Sequence, residues 1–480
     1  MEETRAILVT LVIYKIILVV VGVLANRRTK DTKDFFLGGR RMGPWVAALS
    51  ASASSSSAWS LLGVSGAAYS WGLGAAWLIP SCIGGFLINW YLIAPRLRRY
   101  SAAHGALTVT DVLSGPRGPD APGAMAVARV ASAIVLVSLL VYVASQFHGA
   151  GKTFAETFDM ELRSAVLLGA AIVSFYTLLG GFWAVSLTDT IQGFVMAGAA
   201  VVVPIAALIA VGGLDALWAG MQASTVTGYA SLTRDMTPVV ALGFVVGLLG
   251  IGIGYPGQPH VVNRFMALRD DRGVAVGRRV ALVWATIIYV GMLLAGWCAR
   301  ISFPGLEDPE VALLSLTTEL FSPVAAGVMV AAVLSAIMST ADSQLLVVAS
   351  SASHDLRRSE EAESSLARSR VVVLGACGIA ALMAVVADDS IFDRVLFAFS
   401  AMGAAFGPLL LVTLFRGRRK AAGSVASMLV GFASSVLAFY VAPAEAKGVL
   451  SRVLPFALAL AVAWFAAPAD VDSAPAEAKP

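Results

Sequence analysis

Apolar runs of about 20 residues, each long enough to cross the hydrocarbon core of a bilayer, follow one another along almost the whole chain. With 58% hydrophobic and 13% charged residues and a mean hydropathy of +0.82, that pattern leaves one fold class, an all-α polytopic membrane protein. About 13 transmembrane helices can be placed, near residues 6–25, 44–67, 72–94, 124–148, 163–181, 184–211, 237–255, 275–302, 321–353, 368–387, 392–414, 421–441 and 448–467. The gaps between them are too short for a folded soluble domain. The first run lacks a small-residue cleavage site and leads into NRRTK, so it reads as a retained helix.

Charge fixes an expected orientation. With the N-terminus outside, the inner loops collect about 23 of the 34 basic residues, among them Arg27, Arg28, Arg40, Arg41, Arg96, Arg98, Arg99, Arg264, Arg269, Arg357 and Arg358. The outer loops carry Glu156, Asp159, Glu161, Glu307, Asp308 and Glu310. A multi-pass plasma-membrane protein with its C-terminus inside follows, and the Ala-, Pro- and acid-rich residues 468–480 read as a disordered cytoplasmic tail. A net charge of +4 is too small to imply nucleic acid, and Cys82, Cys298 and Cys377 sit in apolar runs without metal-like spacing.

The second span holds the stretch SASASSSSAW, Ser50 to Trp59. Serines at that density serve no lipid-facing purpose. They suit a helix that breaks at depth, where small side chains and spare oxygens satisfy freed backbone groups; close packing of neighbouring helices is the plainer explanation. Parity favours the first. Spans 2–6 (about 44–211) and 7–11 (about 237–414) form two groups of five, and an odd number inserts the second group upside down. The seventh span is interrupted as well, by GLLGIGIGYPGQPH, and matched interruptions at the head of both groups point to a transport site near the midplane.

Ser339 and Thr340 in the ninth span fall at the depth of Ser55, Ser56 and Ser57, so hydroxyls and open carbonyls from two helices could replace the hydration shell of a small hard cation. Alternatively they bond back within their own helices. Intramembrane ionisable groups are few. Asp189 and Asp342 on the inner side, with Arg40 at the entry to the second span, suit either cation release or an Asp–Arg closure. His260 leaves a proton relay open. Trp59, Tyr142 and Tyr255 are placed to close over an organic substrate or simply to pack. The stretch HGAGKTF at 148–154 lacks the first glycine of a phosphate loop, position 146 being Gln, and no nucleophile triad, metal cluster or cofactor loop suggests an enzyme.

Six stretches carry a resemblance: FFLGGRRMGPWVAALSA, LINWYLIAPRLR, SLTDTIQ, GYPGQPHVVNRFMA, MSTADSQLLVVASS and AFGPLLL. Together they are similar to the sodium/solute symporter family, most of all its bacterial sodium/proline symporters. The resemblance implies a LeuT-type five-plus-five inverted repeat with extra terminal helices. It implies sodium-coupled import of a small solute such as proline, with sodium as co-transported ion, no cofactor, and a monomer sufficient for transport. Sodium would meet backbone oxygens of Ala53, Ser56 and Ala336 and the hydroxyls of Ser339 and Thr340. The substrate would meet Ser57, Trp59, Tyr142, Tyr255, Gln258 and Pro259, while Arg40 and Asp189 match gating and ion-release positions and Asp342 lies beside them. Ser55 and Ser56 stand where those symporters typically have an aspartate and a methionine, and Ile251 stands for a tryptophan of the pocket wall. Proton coupling through Asp189, Asp342 or His260, and a solute sensor, are the alternatives to sodium symport.

Overall fold

The structure, a computed structural model, describes residues 2–26, 37–116, 122–178, 181–356, 366–386 and 390–469. Residues 470–480 of the expected tail, and Arg27, Arg28, Arg357 and Arg358 of the topology argument, lie outside them. Among the described residues nine helices are long and apolar enough to cross a membrane, with shorter apolar ones at Leu162–Thr177, Pro238–Ile253 and Val449–Phe465. The chain runs through α1 (Glu2–Asn26), α2 (Pro44–Ser55), α3 (59–71), α4 (78–104), α5 (Pro122–Phe158), α6 (Leu162–Thr177), α7 (Phe182–Ala210) and α8 (Pro238–Ile253). It continues through α9 (Pro259–Ala267), α10 (Asp271–Ser302), α11 (Pro323–Ser350), α12 (Leu366–Val386), α13 (Ile391–Arg416), α14 (Ala421–Val441) and α15 (Val449–Phe465).

All 13 expected spans correspond to helices once α2 with α3, and α8 with α9, are counted as one broken span each. The boundaries move where polar ends stay helical: α4 reaches His104 and α5 reaches Phe158, ten residues beyond the expected end. The helical run Trp59–His104 is 46 residues long. Straight, it would measure about 69 Å, more than twice the bilayer core. It turns instead at Gly72, whose φ of 58° suits glycine and whose absent Cβ would lie 2.0 Å from the Tyr229 carbonyl oxygen.

Burial sorts centre from periphery. The most apolar windows of α11 and α13 are 78% and 89% buried, against 22% for α1, whose Ile13 and Ile16 face outward as a lipid-facing helix requires. Around that centre α2 packs on α7, α9, α10 and α11, while α1 lies outside the two groups of five and against α7 and α11.

Candidate functional site

Two breaks define the site, and they share a backbone geometry. α2 ends at Ser56 (φ −114°, ψ 90°) and the α8 segment ends at Gln258 (φ −103°, ψ 93°). Each break frees backbone groups that a membrane interior cannot solvate, and each has a side-chain amide to meet them. At the first, Gln146 Oε1 accepts the Ala58 N–H at 3.0 Å and Ser57 Oγ accepts that of Trp59 at 3.2 Å. At the second, Gln258 Nε2 donates to the carbonyls of Gly254 (3.1 Å) and Phe399 (2.9 Å). Pro259, with no N–H to orphan, starts α9. The interruption of the seventh span therefore begins at Gly254, after Gly247, Gly250 and Gly252, which stay helical in α8, and the span resumes as α9.

The last carbonyls of α2 point at α11. Ser339 Oγ donates to Ala53 O (3.1 Å) and Ala336 O (3.3 Å); Thr340 Oγ1 donates to Ser54 O (3.2 Å) and lies 3.5 Å from Ala53 O. All these residues are buried, and the Ser56 and Ser52 hydroxyls have no partner among the described residues. The arrangement gathers carbonyl and hydroxyl oxygens at the negative end of a helix dipole, chemistry that favours a small hard cation. Ser55, where the resemblance implies an aspartate, bonds back to Ser52 O at 2.8 Å.

Beside the break, Tyr142 donates to Ser57 Oγ at 3.4 Å and its ring meets that of His260 edge-on at 5.9 Å. Trp59 opens a π-helical turn, its ring 6.4 Å from Tyr289 and 5.5 Å from Phe392. Tyr255 and Tyr289 share a hydroxyl hydrogen bond of 2.9 Å. Gly85 makes room for Tyr255: a Cβ there would sit 2.4 Å from the ring. Ile251 is buried a turn before the second break, its carbonyl accepting the Gly254 N–H at 3.1 Å. Trp59 Nε1, Gln146 Nε2 and Gln258 Oε1 are buried without a partner among the described residues.

Two closures bracket this centre. On the Arg40 face, Asp189 is fully buried in α7 and pairs with Arg264 (3.2 Å), not with Arg40. Ser50 and Ser54 of α2 donate to the same carboxylate oxygen at 2.7 and 3.2 Å; Arg264 also donates to Ser50, to Ser343 and to the His260 carbonyl. Four helices are thus joined one turn beyond Ser339 and Thr340. Arg264, counted above among loop charges, instead sits inside α9 with 1% of its side chain exposed. Arg40, at φ 55°, donates to Ser101 O, Ala106 O and Met266 O, capping the end of α4, and burial pushes its guanidinium below its ordinary range. On the opposite face Glu310 pairs with Lys152 (2.6 Å) and accepts the N–H groups of Ile391 and Phe392, fixing Phe392 over Trp59. Beyond Phe392 lies a cavity of about 360 Å³ edged by Trp71, Arg234, Asp393 and Arg452.

Asp342 stands apart from Asp189's network: it accepts a hydrogen bond from Thr177 on α6. Arg264, Gln146, Tyr289 and Lys15 were not singled out from sequence. A charge inside an apolar run was the available signal for Lys15.

A sequence profile of the sodium:solute symporter family matches residues 35–431. The osmoregulated proline transporter of Bacillus subtilis is 34% identical over 464 residues, covering 95% of this chain and 93% of that protein. The sodium/proline symporter of Escherichia coli is 33% identical over 445 residues, 90% of this chain and 87% of its own. In structure the chain is similar to a Na+-coupled sialic acid symporter in a substrate-bound outward-open state, with a TM-score of 0.77, 19% identity and coverage of 97% and 99%. It is also similar to a nucleobase-cation-symport-1 family transporter in a closed conformation, with a TM-score of 0.56, 14% identity and coverage of 90% and 95%. The expected LeuT-type fold stands, and these relatives are named as transporters and symporters rather than enzymes. By the extent of the profile match and of the alignments, the chain belongs to the sodium:solute symporter family.

Proposed function

We propose that this symporter imports a small zwitterionic amino acid, proline first among them, together with sodium bound between α2 and α11. The observation that carries the reading is the meeting of the Ala53 and Ser54 carbonyls with the Ser339 and Thr340 hydroxyls at a broken helix. Ser56 and Ala336 complete the oxygen set. The unpartnered Trp59 Nε1 and Gln146 Nε2 supply donors for a carboxylate, Gln258 Oε1 supplies an acceptor for an ammonium, and Ser57, Tyr142, Tyr255 and Pro259 shape the walls. Ile251, where the family resemblance implies a tryptophan, would leave more room at the wall. Proline is favoured because relatives matching nine-tenths of the chain are named as proline transporters.

In this reading the N-terminus faces outward, so the Arg40 face is cytoplasmic and the two groups of five, about 44–211 and 237–414, rock about the site. Sodium screens the α2 carbonyls from α11, fixes the α2/α3 junction and prepares the pocket. Inward opening separates Arg264 from Asp189, which then faces the departing ion together with Asp342; Arg40 governs the rim. No cofactor is needed, and one copy contains every group used.

Competition identifies the solute. Uptake of radiolabelled proline into vesicles holding the purified protein should be blocked by unlabelled proline and not by small carboxylates lacking an amine. Failure of proline alone, with another amino acid taken up, would replace the substrate. Trp59→Ala should raise the substrate concentration for half-maximal uptake about tenfold or more, since a buried aromatic contributes on the order of 2 kcal/mol. Unchanged half-saturation would remove Trp59 from the pocket.

A further inference from the structure

Helix α13 starts at the Glu310 closure and ends on the Arg40 face, where the arginines fall into two groups. Arg98 and Arg99 near the end of α4 share one carboxylate, that of Asp271 at the start of α10. Arg96, Arg416 and Arg419 have no carboxylate partner among the described residues, and other contacts hold them. The Arg96 guanidinium lies 4.0 Å from the centre of the Phe415 ring and donates to the Leu92 carbonyl at 3.2 Å, so that α4 meets the end of α13 through it. Arg416, the last residue of α13, lies 4.1 Å from the centre of the Trp464 ring and donates to the Trp464 carbonyl at 3.3 Å. The chain then turns at Gly417, whose φ of 81° suits glycine, and pairs with the residues that follow α15. In that clasp the Lys420 N–H donates to Ala467 O at 2.9 Å, the Ala469 N–H donates to Arg418 O at 3.0 Å, and Arg419 stands opposite Pro468. Arg416 and Arg419 are thus fastened to the same end of α15. Arg419 is 7% exposed, and its Nε and Nη2 have no hydrogen-bond partner among the described residues. Burial, with the charge of Arg416 beside it, pushes its guanidinium below its ordinary range.

A guanidinium buried beside a like charge, with two donors open, is unfavourable unless an anion reaches it. The surroundings indicate which kind. Phe415 and Trp464 are 47% and 49% exposed and Phe465 is 85% exposed, so the three arginines stand where the apolar outer surface gives way to the polar helix ends. That is the level at which interfacial aromatic side chains meet phospholipid headgroups. Planar, forked donors suit phosphate oxygens, and half-exposed rings beside them suit acyl chains. We propose that Arg96, Arg416 and Arg419 bind the phosphate of an anionic phospholipid in the leaflet on the Arg40 face, with its acyl chains along Phe415 and Trp464. The lipid joins α4, α13 and α15, and gives α15, which belongs to neither group of five, a part in holding that face together. This does not depend on which solute or ion is carried.

Native mass spectrometry of the purified full-length protein, titrated with phosphatidylglycerol or phosphatidylcholine of identical acyl chains, tests this. Phosphatidylglycerol should bind more tightly, by about fivefold or more, and Arg96→Gln and Arg416→Gln should each weaken it about fivefold, the equivalent of roughly 1 kcal/mol per arginine at a membrane surface. Arg419→Gln should weaken it at least as much; should that variant not fold, the exposed Arg96 and Arg416 decide. Arg99→Gln removes a charge from the same face at a residue already paired with Asp271, and should leave lipid binding unchanged. Equal affinity for the two lipids, or a loss in Arg99→Gln as large as that in Arg416→Gln, would reduce the effect to general surface charge and overturn the site. Excess inorganic phosphate should fail to displace the lipid. Displacement by phosphate alone would assign the arginines to a soluble anion and overturn the lipid as occupant.

Discussion

Arg264→Met is expected to destabilise the protein by about 3–5 kcal/mol, because it leaves the Asp189 carboxylate buried with only hydroxyl partners. Asp189→Asn should also be costly, though less so, since Ser50, Ser343 and the His260 carbonyl still accept from the guanidinium. The combined variant should recover a large part of the loss, as neutral pairs replace buried ion pairs at little cost. Thermal unfolding of the three variants in detergent measures this. Additive losses would show that the two groups do not act as one closure. The same cycle carries a functional signature: with the closure gone, α2, α7, α9 and α11 lose their joint on the Arg40 face, and labelling of Asn263 or Met266 replaced by cysteine should become faster from that side.

Ser339→Ala and Thr340→Val should each raise the sodium concentration for half-maximal uptake by about 5–30-fold, the equivalent of roughly 1–2 kcal/mol for a lost oxygen ligand in a buried site. Thr340→Ser keeps the oxygen and should restore most of the affinity. These hydroxyls also bond the free carbonyls of α2, so a purely structural role has to be separated from ion binding. Thermal stabilisation by added sodium separates them. It should shrink in both variants if the hydroxyls are ligands, and persist in full if they only tie α2 to α11.

The broken helices were legible because breaking a helix inside a membrane demands particular residues: serines in one, glycine and proline in the other. What was not legible is how the freed groups are satisfied. Gln146 appears in the sequence only as the residue that spoils a phosphate loop, yet its amide meets the Ala58 N–H from a helix nearly ninety residues away. Long-range partners of that kind leave no local pattern. Arg264 shows a different limit. Sitting in a short polar stretch after two prolines, it resembles the loop arginines that set topology, and only the fold reveals that α9 resumes the span and carries the guanidinium to Asp189. The pairing of Asp189 with Arg264 and of Arg40 with the end of α4 could not be separated by counting charges, because both arginines stand on the same side. Lys15 was hidden by its surroundings, one charge in an otherwise apolar run whose average still reads as a plain membrane helix.

Coupling between sodium and substrate is the central claim, and it is reciprocal: sodium must tighten substrate binding by the factor by which substrate tightens sodium. A membrane potential of about 150 mV supplies roughly 3.5 kcal/mol per charge and a tenfold gradient about 1.4. One sodium per cycle could then concentrate a neutral solute by up to about three and a half orders of magnitude. The most direct measurement is proline accumulation in vesicles containing the purified protein, with an inward sodium gradient imposed at constant pH and then replaced by choline. Accumulation above the outside concentration with sodium, and equilibration or less with choline, is the expected result. Equilibration only under both conditions, with accumulation appearing once an inward proton gradient is imposed in choline, would contradict sodium binding at Ser339 and Thr340 as the coupling step and return Asp189, Asp342 and His260 to consideration as proton carriers.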